Sequence, residues 1–331
     1  MTSQRIRQLI AGMALCIVFY AALAAYEDLS RVGAAFIALG WSGWGLILGL
    51  SLFNYLLRFI RWHYYLRQLN QSVPAGPNLV IYLAGFGFTT TPGKVGEALR
   101  SVYLKRWGVE YSASLAAFFV ERLVDLLAMI VIAALALYAF KDMQWLLVVT
   151  LALTLAFLWL VHSTRLPILI RRWSALMHSP RIEVGVNYLL QMLERSAPLL
   201  KSTPLQVGFG LGLLAWAAEG VALYVVVQML GTDIDVLLTI GIYGVSILAG
   251  VVTFVPGGLG GTELLMQFLL KNAGMVAALA VSAVIICRVA TLWFAVAIGL
   301  ACVAWLEIKV GHSSMPAEQL PGKRSSGQEY E

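Results

Sequence analysis

Charge is what this sequence has least of. Asp, Glu, Lys and Arg make up 12% of its 331 residues, about half the share in a soluble domain. With 60% hydrophobic residues and a mean hydropathy of +0.82, a water-facing surface cannot be assembled, and a polytopic membrane protein is the class that remains. Cysteine is also scarce. Cys16, Cys287 and Cys302 fall inside apolar runs without CxxC spacing, which argues against disulfides and thiolate metal sites. His63, His162, His178 and His312 show no paired spacing either, so no metal site is expected. Walker loops, G-x-S-x-G elbows and cofactor motifs are absent, which leaves no ATP-driven machinery or serine nucleophile within the chain. The net charge of +6 comes from short basic clusters flanking apolar runs. Membrane topology explains that pattern without nucleic acid.

Against this background the stretch from Thr253 to Glu263, TFVPGGLGGTE, stands out. Pro256, Gly257, Gly258 and Gly260 cannot continue a helix, because proline lacks an N–H and each helical glycine costs about 1 kcal/mol. In lipid such backbone is tolerated only inside protein or along a wet cavity. A near-copy, TPGKVGE, runs from Thr91 to Glu97, with Pro92, Gly93 and Gly96 matching Pro256, Gly257 and Gly260. Arg122 follows Glu97 by 25 positions and Arg288 follows Glu263 by 25; Asn54 and Glu219 precede the two prolines at nearly equal distance. These landmarks predict an internal duplication, about 5–140 and 143–308.

The expected fold is all-α, with six transmembrane helices and two re-entrant helical hairpins in a single membrane domain, 1–310. Residues 1–26 form the first span; a cleaved signal peptide is the rival reading, but the apolar run exceeds the usual h-region. Val32–Leu39 reads as an interfacial helix. Trp41 and Trp44 open a span ending near Ile60, with Arg58, Arg61 and Trp62 at the opposite interface. Asn78–Pro92 is too short to cross and becomes the first hairpin, leaving through Lys94–Arg106. Spans over 112–140 and 143–162 follow. Residues 165–201 contain an amphipathic surface helix, 204–230 span again, and Val236–Val255 opens the second hairpin. Residues 311–331 read as a disordered cytosolic tail.

This arrangement puts 18 of the 23 Lys and Arg residues on one side. The positive-inside rule makes that side the cytosol, with both termini there and the protein in the cytoplasmic membrane. The two hairpins then enter from opposite faces, a plan that recurs in proteins moving substrates across bilayers.

An ionised side chain at the bilayer centre costs about 2.5–3.5 kcal/mol on insertion scales. Glu121, Arg122, Asp125, Glu219 and Arg288 fall within spans, with Glu97 and Glu263 on hairpin arms. One reading is plain neutralisation, Glu–Arg pairs pinning the hairpins, with the Pro-Gly motifs as tight turns. The other is a polar cavity that holds an anionic head group. In it Glu97, Arg100, Arg122, Glu263 and Arg288 line the path, and Asn54, Arg58 and Lys94 meet the head group at its mouth. Helices starting after Pro-Gly would add positively polarised N-termini.

The elements Pro92–Arg100 (PGKVGEALR), Glu121–Asp125 (ERLVD) and Pro256–Glu263 (PGGLGGTE), with Arg288, resemble the lysylphosphatidylglycerol synthase transmembrane region. This is the flippase-like membrane domain family. The resemblance covers about residues 5–308. It implies a domain that flips an aminoacylated phospholipid, while a separate soluble domain makes that lipid. Because the sequence stops after the membrane part, translocation of an anionic or aminoacylated lipid, or of a lipid-linked precursor, is expected without synthesis. Two alternatives stay open. One is a membrane-embedded transferase with Glu121, Asp125 or Glu263 as general base. The other is a non-catalytic partner docking a cytosolic lipid-modifying enzyme through 165–201. Cysteine labelling is expected to find the chain after Gly96 and the chain after Thr262 on opposite sides of the membrane.

Overall fold

Long apolar runs become helices because a helix satisfies its own backbone groups where there is no water to do so. The computed structural model describes residues 29–89, 97–136, 180–253 and 255–312, with short pieces between 139 and 172. Its elements are α1 (Leu29–Ala38), α2 (Gly40–Gln68), α3 (Ala75–Phe86), α4 (Arg100–Lys105), α5 (Tyr111–Ala134) and α6 (Pro180–Ser196), followed by α7 (Ser202–Met229), α8 (Val236–Val252), α9 (Gly261–Asn272), α10 (Ala277–Arg288) and α11 (Phe294–His312). All regular structure among the described residues is helical. A π-helical turn, Val289–Trp293, makes α10 and α11 one continuous rod.

Among the described residues, three stretches are long and apolar enough to cross a bilayer: Gly40–Gln68, Ser202–Met229 and Ala277–Ile308. α3 and α8 are shorter apolar helices. The protein is an integral, multi-pass membrane protein. α5 runs for 24 residues but carries Glu121, Arg122 and Asp125, so it depends on partners inside the protein. The expected first span, the hairpin tip holding Pro92, Gly93, Lys94 and Gly96, most of the 143–162 span and the tail beyond His312 lie outside the described residues.

The second hairpin motif is a helix–break–helix unit, with α8 and α9 packed against each other. Asp235 caps α8 by accepting from the Leu238 amide at 2.9 Å. At the break Gly257, Gly258 and Gly260 have φ of 66°, 70° and 84°, a left-handed region that L side chains rarely enter. The Glu263 carboxylate accepts from the Gly260 amide at 2.8 Å and so fills the N-terminus of α9 from within. The helix end expected to face a ligand is therefore already occupied by an anion.

Packing interlocks the two halves. α2 and α7 form the most extensive helix contact, α5 lies on α8, and α11 lies on α3. A helix of the first part of the sequence thus lies on α8 of the second, and the last helix of the second lies on α3 of the first. Asn54, fully buried, donates from Nδ2 to the Ala215 carbonyl at 2.7 Å, tying α2 to α7. The α5–α8 seam is close: a Cβ on Gly244 would lie 2.7 Å from the Ala133 amide nitrogen.

α2 corrects the sequence reading. It continues to Gln68, past the expected end near Ile60, and Arg58, Arg61 and Trp62 are buried instead of marking an interface. With Arg100, also buried, three of the eighteen basic residues assigned to the cytosolic side are interior charges. Their guanidiniums have carboxylate partners on α5, which removes the reason for α2 to stop there.

Gly244→Ala is expected to lower stability by about 1–3 kcal/mol through overpacking. Gly45→Ala, where a Cβ meets nothing within 4 Å, should be neutral or stabilising by up to about 1 kcal/mol. Thermal denaturation in detergent measures both.

Candidate functional site

Arg58 and Arg61 are three residues apart, on one side of α2, while Glu121 and Asp125 are one turn apart on α5. Such spacings put each pair on one helix face, and the two faces meet. Arg61 donates to Asp125 Oδ1 at 2.6 Å and lies 3.5 Å from Glu121 Oε1. Trp216 of α7 donates its indole N–H to the same Asp125 oxygen at 2.9 Å. Arg122 pairs with Asp125 Oδ2 at 3.0 Å and donates to Glu121 Oε1 at 3.2 Å. Tyr82 of α3 donates to Glu121 Oε1 at 2.8 Å, and Arg100 closes on Glu121 Oε2. The Arg100 guanidinium also lies over the Trp62 ring, 3.7 Å from its centroid. Glu121 is thus a fully buried hub joining α2, α3, α4 and α5.

The second half is simpler. Arg288 donates through Nε to Glu263 Oε1 at 2.7 Å and through Nη2 to the Gly257 carbonyl at 2.6 Å. This ties α10 to the glycine turn. Glu219 on α7 accepts from the Tyr243 hydroxyl of α8. The π turn following Arg288 inserts an extra residue into the helix, and such turns leave the ordinary hydrogen-bond ladder incomplete. The Thr291 carbonyl accepts there from Tyr55 of α2 at 2.6 Å.

Between these clusters lies a cavity of about 370 Å³. Arg58, Arg122 and Arg288 reach its wall together with Asp125 and Glu219. Its remaining surface is mostly apolar, from residues such as Phe86, Phe119, Met129, Trp216, Ile247 and Val251. Gly257 and Gly258 line it as well. Glu97, Arg100, Glu121, Glu263 and Asn54 are buried and are not part of its lining. Gly260 is not part of the lining, and Lys94 lies outside the described residues.

A family model described as the lysylphosphatidylglycerol synthase TM region matches residues 9–299. The chain belongs to that family. A UPF0104 membrane protein from Methanothermobacter thermautotrophicus is 26% identical over 117 residues, 35% of either chain. A second relative with the same name and source is 33% identical over 97 residues, 29% of either chain. The aligned stretches span about a third of the length of these curated relatives.

In this family member the sequence pattern anticipated the Glu263–Arg288 pair and the Glu97–Arg122 neighbourhood. It missed Arg61, Trp216, Tyr82 and Tyr243. For Arg61 a signal existed: two arginines at helical spacing facing two acids at helical spacing. Arg61→Met should cost about 1–3 kcal/mol by removing the 2.6 Å charge-assisted hydrogen bond to Asp125, which keeps Arg122 and Trp216 as partners. Unfolding in detergent, compared with an Arg195→Met control at an exposed pair, measures it.

Proposed function

We propose that the protein is a lipid translocase of the cytoplasmic membrane, flippase-like, carrying an anionic or aminoacylated phospholipid or a lipid-linked precursor between leaflets. The proposed architecture is one membrane domain, 1–310, of six spans and two re-entrant hairpins in inverted repeats (about 5–140 and 143–308). Both termini and the 311–331 tail face the cytosol.

The observation that carries this reading is the cavity, in which guanidiniums from both halves share a wall with aromatic and aliphatic side chains. Lipid has the same mixed character. A volume of about 370 Å³ falls within the range of about 300–1,000 Å³ for small-ligand sites. It suits a head group whose acyl chains remain in the bilayer. Arginine is suited to hold a phosphate there, since charge-assisted hydrogen bonds offset the loss of hydration. The reciprocal packing of α5 on α8 and α11 on α3 supports the inverted-repeat plan, in which substrate sites lie between the repeats. A transferase has less support. Glu121, Asp125 and Glu263 each accept hydrogen bonds from arginine, so oxygens that a general base would use are already engaged, and Glu121 and Glu263 do not line the cavity.

Reconstituted in proteoliposomes, the protein is expected to make a labelled anionic phospholipid in the inner leaflet accessible to an outside quencher. Arg122→Ala and Arg288→Ala, checked for folding, should slow this by about tenfold or more, the equivalent of about 1.4 kcal/mol. Flipping rates unchanged in both variants would remove these arginines from the mechanism.

A further inference from the structure

The two Glu–Arg pairs separated by 25 residues are in different states. Glu263 and Arg288 are hydrogen-bonded at 2.7 Å. Glu97 and Arg122 are 3.7 Å apart, and Arg58 Nη2 is 3.9 Å from the same Glu97 oxygen. These separations exceed hydrogen-bonding range. Glu97 is 1% exposed and Arg58 5% exposed. Glu97 Oε1 accepts from Thr89 at 3.0 Å, while Oε2 has no hydrogen-bond partner. Arg58 Nε and Nη2 and Arg122 Nε have none either. Buried donors and acceptors are nearly always paired, so this cluster of orphans requires an explanation.

Position supplies one. Arg58 and Arg122 line the cavity and Glu97 does not. Arg122 also pairs with Asp125 at 3.0 Å and Glu121 at 3.2 Å, and Arg58 lies 3.9 Å from Glu121. Among the described residues, Glu97 is thus the one acid near both arginines that makes no hydrogen bond to arginine. Phe86 and Trp216 hold the Arg58 guanidinium, with ring centroids at 5.1 and 5.2 Å. Formal charges in the first-half cluster are Arg58, Arg61, Arg100 and Arg122 against Glu97, Glu121 and Asp125, leaving one positive charge in excess. Glu219, on the same cavity wall, faces this cluster from α7; a phosphodiester carries a single negative charge.

We propose that Arg58 and Arg122 form the subsite for the phosphate of a monoanionic phospholipid, and that Glu97 is the internal anion with which the phosphate competes. With the subsite empty, Glu97 neutralises the arginines loosely, without completing hydrogen bonds. When phosphate enters, Arg58 and Arg122 swing to it, and on departure Glu97 receives them again. Glu97 thereby limits how tightly the lipid binds and assists its release. This rests on the translocase reading for its purpose, but binding can be measured without transport.

The test is equilibrium binding of a fluorescent phosphatidylglycerol to purified protein in neutral detergent, with inorganic phosphate and glycerol phosphate as soluble competitors. Glu97→Gln should bind about tenfold more tightly than the natural protein, a difference of about 1.4 kcal/mol, and Arg58→Gln about tenfold more weakly. Glu97→Asp, which keeps the charge, should bind close to the natural protein, and Glu97→Ala, which removes it, serves if the glutamine variant folds poorly and should likewise bind more tightly. Equal or weaker binding by a folded Glu97→Gln protein overturns the proposal. Displacement by either soluble competitor at concentrations comparable to the lipid overturns the assignment to a lipid. A protein that binds with these rankings but does not flip lipid refutes the translocase and leaves the subsite standing. Flipping with unaltered binding in Glu97→Gln refutes the subsite alone.

Discussion

Moving a charged side chain out of water costs several kcal/mol even after relaxation, and only well-placed counter-charges offset it. Everything in the first half of this protein follows from that constraint. Glu121 is fully buried and is approached by arginines from α2, α4 and its own helix and by a tyrosine from α3. No apolar contact could fix four elements with comparable directionality. Removal of any one partner would take a charge-assisted hydrogen bond or a neutralising contact from the rest. The charges thus act as a lattice, and the apolar cores around Trp62, Tyr82 and Val124 and around Val226, Leu269 and Ile286 fill in between its struts.

The two halves solve the same problem with unequal means. The second uses one arginine for two tasks, holding the Glu263 carboxylate and the Gly257 carbonyl, and so locks a turn that glycine alone can form. The first distributes three carboxylates among four arginines and leaves part of its hydrogen-bonding capacity unused beside a cavity. Rigidity on one side and unsatisfied polarity on the other suit a site that must hold a ligand for a limited time.

The helices were legible in the sequence because hydrophobic length is a local property. Ser202–Met229 differs by two residues or fewer at each end from the span read at 204–230. The Glu–Arg spacing was legible because it occurs twice, 25 positions each time. What could not be read locally was pairing. An arginine near the end of an apolar run ordinarily anchors a helix at the membrane surface, and nothing within ten residues of Arg61 distinguishes it from such an anchor. The distinction lies in Asp125, 64 positions away. Trp216 and Tyr243 looked like ordinary span residues for the same reason, since their roles as donors to Asp125 and Glu219 depend on tertiary contact. The placement of Glu263 over its own helix end also escaped notice, although a glutamate three residues after the cap is a known local signal.

That separation between Arg61 and Asp125 also bears on biogenesis. During synthesis α2 emerges first, carrying two interior cations, and the acids that neutralise them come only with α5. Until then α2, long and apolar enough to cross a bilayer, carries two arginines without their counter-charges. The ionic contacts that hold α2 can therefore close only once α5 has been delivered.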